Sequence, residues 1–154
     1  MLDTPQVTQT YIQLTATIHL KVARSEMQKV MGPGINEMIA AVKAQCIGPT
    51  GHWFTHHLRI TAEEFDFEIC VPVSAPVAAV GRVRQGQWPA MKVARTIYIG
   101  PYEGLGAAWG EFGAWITAQG FSPATDLWER YISGPESNAD SATYRTELNR
   151  PLLD

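Results

Sequence analysis

The sequence is poor in the features that mark disulfide-stapled, membrane-spanning and secreted proteins. It has only two cysteines, Cys46 and Cys70, and their spacing fits neither a zinc motif nor a thioredoxin-type pair, so both are expected to be reduced thiols in the core. The start of the chain has neither a basic region nor an apolar run, and no apolar stretch approaches the length that crosses a bilayer. These absences predict a cytoplasmic protein without a membrane partner.

Neither sign of charge dominates. Twelve Lys and Arg stand against fifteen Asp and Glu, a net charge of -3, and the basic residues are scattered along the chain. A nucleic-acid-binding protein normally presents a basic patch, so direct nucleic acid binding is not expected. With 154 residues, 45% of them hydrophobic, the chain can form one domain or two small halves that share a core.

The first half is patterned as strand, helix, strand, strand. Apolar and polar residues alternate from Tyr11 to Val22, which predicts a strand with one buried face. Pro33, at a first helical position, opens an amphipathic helix that Gly48 closes. Two short strands follow, over His52 to Ile60 and Glu63 to Val73.

The second half repeats this order. A strand is predicted over Met91 to Ile99, a helix after Pro101 that Gly120 terminates, and two strands over Leu127 to Ile132 and Ala142 to Asn149.

The repeat predicts an α+β fold in which a β-α-β-β module is duplicated within a single domain spanning residues 1–154. The first module covers about residues 10–74, a linker about 75–90 and the second module about 91–152. One helix on a half-sheet cannot bury its own apolar face, so the copies are expected to pack around a pseudo-two-fold axis. The central cleft between them is the predicted ligand site.

Glu129 is the most informative residue of the chain. It lies on a predicted strand whose two faces are both largely apolar, where a carboxylate without a partner is costly. Two interpretations are open at this stage. Glu129 awaits a ligand, or Arg130, Arg145 or a backbone amide satisfies it permanently.

Four segments together resemble the GyrI-like small-molecule-binding domain, which is also the effector-binding domain of AraC-type and MerR-type regulators. They are Ala94 to Glu103, the helix with Trp109 and Trp115, Trp128 to Tyr131, and Tyr144 to Leu152. The resemblance implies a cleft lined by aromatic residues and centred on a glutamate, of the kind that binds multiple drugs. Its Glu-x-Tyr pair matches Glu129 and Tyr131, and it implies an apolar ligand that can carry a positive charge.

The resemblance points to the stand-alone form of the domain, because this chain has no room for the DNA-binding segment that precedes it in regulators. Stand-alone relatives include ligand-scavenging proteins, gyrase-inhibitory proteins and hydrolases that open cyclopropane-bearing genotoxins. In a hydrolase, Glu129 and Glu147 would be the catalytic glutamates. A homodimer and a protein partner are both compatible with the sequence, and no cofactor is expected.

Tyr131, Trp109, Tyr98 and Phe54 are the predicted walls of the cleft. Trp109 also lies on the apolar stripe of its helix, where packing in the core is the ordinary alternative. Phe54 follows Trp53 as Glu129 follows Trp128, so Phe54 is expected to face the same cleft.

Two further groups have ordinary interpretations. Glu147 shares a strand face with polar residues and could form a surface salt bridge with Arg145 or Arg150. His52 and His56 would lie roughly 13 Å apart on a strand, too far to share one metal ion. No metal site is predicted.

Overall fold

The computed structural model describes residues 2–61, 63–134 and 140–153. The chain divides into two compact units: unit 1 comprises Met1–Thr10 and Met91–Asp154, and unit 2 comprises Tyr11–Ala90. In its described residues each unit has one α-helix and a set of antiparallel strands, which confirms the mixed α+β class. Within the described residues, neither helix combines the length and apolarity that a membrane span requires.

The elements are numbered in chain order. The strands are β1 (Gln6–Gln9), β2 (Gln13–Ala23), β3 (Phe54–Ile60), β4 (Glu64–Pro72), β5 (Arg84–Trp88), β6 (Lys92–Ile99), β7 (Ser122–Pro123), β8 (Leu127–Ser133) and β9 (Arg145–Leu153), and the helices are α1 (Met27–Ala44) and α2 (Leu105–Ala118).

In unit 2 the strand order is β3–β4–β2–β5, with every pair antiparallel. Helix α1 packs on one face of β2 and β4, where Met38, Ile18 and Ile69 are completely buried. The helix approaches closely at Gly34, where an added Cβ would lie 2.8 Å from Ile69 Cδ1. Full burial of each such apolar side chain is worth about 1.5–3 kcal/mol, so this face is the main core of unit 2.

Helix α1 starts at Met27, earlier than the sequence predicts, so Pro33 lies inside the helix and is not its first residue. Proline in a helix interior lacks an amide donor and costs about 3 kcal/mol. Met27, Val30 and Met31 are partly buried against the core of unit 2 at helical spacing, which favours a helix that begins before Pro33. The helix also ends before Gly48, at Ala44.

Strand β2 differs from the prediction on both faces. Its predicted first residues, Tyr11 and Ile12, precede the strand, and Ile12 is 64% exposed. Thr15 and Thr17, predicted on the exposed face, are buried between β4 and β5. The alternation therefore predicted the strand but not the burial of these two threonines.

The expected linker over residues 75–90 contains strand β5, which pairs with β2. Gly86 makes this pairing possible, because an added Cβ would lie 2.6 Å from Thr17 Cγ2. Strand β5 has no apolar alternation, and Trp88 is its one large apolar side chain. Pattern reasoning therefore had no signal for this strand.

In unit 1 the strand order is β1–β6–β9–β8, with β7 pairing β9. The predicted strands match β6 and β8 to within one residue, and the predicted second helix matches α2. Helix α2 covers one face of these strands and buries, with them, Ala94, Tyr98, Phe112, Ile116 and Leu148. This covered face is called the helix face below.

Candidate functional site

Glu129 lies on the helix face of unit 1, in the middle of β8. Its register partner on β9 is Leu148, a completely buried member of the α2 core. Residues that are paired in register point to the same face of a sheet. Glu129 is 7% exposed, so the sequence prediction of a buried carboxylate is correct.

Two aromatic side chains hold the Glu129 carboxylate. The indole Nε1 of Trp109, on α2, donates to Oε2 at 2.6 Å, and the hydroxyl of Tyr131 donates to Oε1 at 2.6 Å. Both distances are short, as expected when the acceptor is a carboxylate. Tyr131 can reach Glu129 because residues two apart on a strand share a face. The sequence left two interpretations of Glu129 open, an awaited ligand or an arginine or backbone amide. The structure adds a third kind of partner, the neutral aromatic donors Trp109 and Tyr131.

More tyrosines surround this pair. The Tyr102 ring meets Tyr131 edge-on, with centroids 6.0 Å apart, and Tyr144 lies 5.2 Å from Tyr102. Tyr102 begins the 3₁₀ turn that leads into α2. Trp109 and Tyr102 are only half-buried, so they are the more exposed members of the cluster. Sequence reasoning did not single out Tyr102 or Tyr144 as site residues, although Tyr102 follows Pro101 at the predicted helix start.

Tyr98 lies on the same face but has a local role. Its hydroxyl donates to the carbonyl oxygen of Pro101 at 2.8 Å. The ring and hydroxyl occupy the space beside Gly104, where an added Cβ would meet the Tyr98 hydroxyl. Tyr98 therefore packs in the α2 core and closes the turn between β6 and α2.

Glu147 lies on the opposite face of β9 from Leu148, and hence from Glu129. It is buried, at 9% exposure, so the expected solvated face and the surface salt bridge with Arg145 or Arg150 are wrong. Its Oε1 lies 3.2 Å from Arg130 Nη1 and 3.5 Å from Arg95 Nε.

The partners of Glu147 come from the neighbouring strands and from β9 itself. Arg130 on β8 is its register partner, and Asn149, two residues along β9, donates to the same Oε1 at 3.0 Å. Burial lowers the pKa of Arg130, the Glu147 carboxylate raises it, and the Arg95 charge lowers it further. Glu147 thus belongs to an arginine-containing network, and the structure does not bring the two candidate glutamates together.

Phe54 does not occupy the position equivalent to Glu129. It is in register with Cys70, whereas its neighbour Thr55 is in register with Ile69 of the α1 core. Phe54 therefore lies on the face of unit 2 opposite α1 and packs edge-on against Trp88, with centroids 5.0 Å apart. The match of Trp53 with Trp128 therefore predicted the wrong face for Phe54, because a shift of one residue reverses the face of a strand.

The histidines of β3 contact neighbours within unit 2. His56 Nδ1 lies 3.2 Å from Glu68 Oε1, and His57 Nε2 lies 3.0 Å from the Thr55 hydroxyl. In the part of the chain that the structure describes, no three His, Cys, Asp or Glu side chains are grouped so that they could hold a metal ion.

Several solved structures share this fold at low sequence identity. The EcmrR C-terminal domain is 21% identical with a TM-score of 0.85, and the match covers 98% of each chain. SAV2435 bound to tetraphenylphosphonium is 14% identical with a TM-score of 0.70, over 98% of this chain and 94% of that one. A hydrolase encoded by lin2189 from Listeria innocua is 11% identical with a TM-score of 0.71, over 97% and 91% of the two chains.

The EcmrR chain in a complex with DNA is longer than this one. The match is 19% identical with a TM-score of 0.83, and it covers 98% of this chain but only 57% of that chain. A comparison with curated protein sequences found no match. The model of one family covers residues 16–152. The chain belongs to that family, the GyrI-like small molecule binding domains.

Proposed function

We propose that this GyrI-like domain binds an apolar, cationic aromatic molecule and that Glu129 anchors its charge. The observation that carries the proposal is the buried Glu129 carboxylate, held at 2.6 Å by Trp109 and at 2.6 Å by Tyr131. Both donors are neutral, so they position the carboxylate without bringing a positive charge to it.

Half-buried aromatic rings beside Glu129 also favour a cationic ligand. A cation is attracted to the faces of tryptophan and tyrosine rings, and Trp109 and Tyr102 are half-buried next to the buried Glu129–Tyr131 pair. A large organic cation would gain from the nearby negative charge and from ring contacts together. The proposed site comprises Glu129, Tyr131, Trp109 and Tyr102.

The fold comparison supports the same ligand class. SAV2435, whose fold this chain shares, is bound to tetraphenylphosphonium, an aromatic cation. A paired-glutamate hydrolase is less well supported, because Glu147 lies on the face opposite Glu129 and contacts Arg130 and Arg95. The central cleft between duplicated modules stays a prediction.

Tetraphenylphosphonium and tetraphenylborate test the proposal, because they have the same shape and opposite charge. Wild-type protein should bind the cation and discriminate against the anion. Glu129→Gln should weaken binding of the cation about tenfold or more, a loss of about 1.4 kcal/mol, and should not weaken binding of the anion. Isothermal titration calorimetry gives both affinities.

Glu111→Gln is the matched control, since Glu111 is an exposed residue of α2 outside the proposed site. It should leave both affinities unchanged. If Glu129→Gln binds tetraphenylphosphonium as tightly as wild-type protein does, Glu129 is not the anchor. Recovery of hydrolysed product after incubation with a cyclopropane-bearing electrophile would instead favour an enzyme.

A further inference from the structure

We infer that Trp109 and Tyr131 are specificity-determining residues that make the site prefer cations without N–H groups, such as quaternary ammonium and phosphonium ions, over protonated amines. The inference rests on the proposed function, because it concerns the cation that Glu129 would accept. It starts from one feature of the geometry, which is that each carboxylate oxygen already accepts a short hydrogen bond.

Each oxygen is engaged by a different element of unit 1. Oε2 accepts from Trp109 on α2, and Oε1 accepts from Tyr131 on β8. A carboxylate has about four acceptor positions, and two of them are taken by donors that the fold holds in place. Only 7% of Glu129 is exposed, which further limits the directions from which a ligand N–H group can approach. The site therefore offers negative charge but few accessible acceptors.

Ligand classes differ in how they respond to such a site. A protonated amine loses hydrogen bonds to water when it binds, and a buried N–H donor without an acceptor is destabilising. A quaternary cation has no N–H donor to satisfy. It needs only the nearby charge and the faces of aromatic rings, which Trp109 and Tyr102 provide. The same carboxylate should therefore discriminate between two cations of equal charge.

A matched pair of ligands measures this preference. Naphthylmethyl-trimethylammonium and naphthylmethyl-dimethylammonium both carry one positive charge at pH 7, and they differ by one methyl group in place of one N–H. The extra methyl group by itself accounts for about fourfold in affinity. We expect wild-type protein to bind the quaternary ion more than tenfold more tightly, as measured by calorimetry.

Variants that remove one of the two donors should change this ratio. Tyr131→Phe removes the donor to Oε1 and Trp109→Phe removes the donor to Oε2, while each keeps an aromatic ring. Either variant should lower the preference for the quaternary ion about tenfold, because the tertiary ammonium N–H gains a charged acceptor. Trp115→Phe is the matched control on the same helix. Trp115 stacks on Phe112, so its replacement should leave the ratio at the wild-type value.

The possible outcomes separate this inference from the proposed function. A wild-type ratio of about fourfold or less, or an unchanged ratio in both Tyr131→Phe and Trp109→Phe, overturns the inference. If tetraphenylphosphonium binding still depends on Glu129 in that case, the proposed function stands without it. If neither ammonium ion nor tetraphenylphosphonium binds the wild-type protein, both proposals fail.

Discussion

Two buried glutamates in unit 1 show how the same side chain acquires different chemistry on the two faces of a sheet. Glu129 accepts from the neutral donors Trp109 and Tyr131 on the helix face. Glu147 lies on the other face, where Arg130 and Arg95 approach it. Positive partners reduce the charge that a carboxylate can offer a ligand, and two arginines approach Glu147. The proposed ligand anchor is placed at Glu129 because Trp109 and Tyr131 orient its carboxylate among aromatic rings.

Cys70 is a residue whose burial should be measurable as a pH dependence of stability. Burial raises the pKa of the Cys70 thiol well above its ordinary value, and the Glu68 carboxylate raises it further. An unfolded cysteine titrates near pH 8.5. The stability contribution of Cys70 is therefore complete below about pH 8.5 and is lost as the pH rises from there toward the folded pKa. The expected slope is up to about 1.4 kcal/mol per pH unit.

Urea denaturation between about pH 7.5 and pH 10 tests this effect, and the window follows from the unfolded titration near pH 8.5. Cys70→Ala should show a shallower decline of the unfolding free energy than wild-type protein. Cys46→Ser should keep the wild-type slope, because Cys46 is exposed. The sequence prediction that Cys46 lies in the core is wrong, since the helix ends at Ala44 and Cys46 falls in the turn that follows. Equal slopes for wild-type protein and Cys70→Ala would contradict the prediction.

The two helices end in the same hydrogen-bond pattern but use different residues for it. After α2, Gly120 N donates to Thr117 O at 3.0 Å and Phe121 N donates to Ile116 O at 3.2 Å. This is a Schellman motif, which needs a left-handed residue, and Gly120 has φ 82°.

After α1 the same motif places a cysteine in the left-handed conformation. Cys46 N donates to Lys43 O at 3.0 Å and Ile47 N donates to Val42 O at 3.3 Å. Cys46 has φ 57°, where a side chain is strained and glycine is not. The sequence predicted the end of α2 well and the end of α1 less well, because only α2 has the expected glycine.

Substitutions at these two left-handed positions should change the free energy of unfolding in opposite directions. Cys46→Gly is expected to stabilise the protein by about 1 kcal/mol, because glycine adopts the left-handed conformation without strain. Gly120→Ala should destabilise it by a similar amount, because alanine is strained in the left-handed conformation. An added Cβ there would have nothing within 4 Å, so a steric clash does not contribute. Urea denaturation measures both changes. Destabilisation by Cys46→Gly would show that the thiol contributes more than the strain costs.

At the scale of the whole molecule, the N-terminal residues pack with the second half of the chain to form unit 1. Strand β1 pairs with β6 over four residues, and Leu2 packs against the α2 core. Asp3 N donates to Ile97 O at 2.9 Å, and the Thr96 hydroxyl donates to Asp3 O at 2.8 Å. The N-terminal segment thus supports β6, the outer neighbour of the strands that carry Glu147 and Glu129.

Removal of residues 2–9 should therefore weaken the unit that contains the proposed site. The lost apolar contact of Leu2 and the lost hydrogen bonds to β6 together predict a destabilisation of at least about 2 kcal/mol. Amides of β6 should exchange faster with deuterium, and tetraphenylphosphonium affinity should fall. Tyr11→Ser, which changes a 76% exposed side chain, is the control for nonspecific effects. Unchanged exchange in β6 after the truncation would contradict a supporting role of β1.

The amino-acid sequence by itself determined the α+β class, the positions of β6, α2 and β8, and the burial of Glu129. These features follow from local patterns, such as apolar periodicity and a glycine at a helix end. It did not predict β1 or β5, because their polar residues become strands only when a neighbouring strand supplies hydrogen bonds.

Only the tertiary structure decided the partners of the two glutamates. The register of β8 against β9 places Glu129 with Leu148, on the helix face, and Arg130 with Glu147, on the other. A shift of one residue would exchange these faces, and periodicity within one strand does not specify its register with the next. The contact of Trp109 with Glu129 requires packing between residues 20 positions apart. For that reason the sequence could suggest the anchor but not the donors that shape its specificity.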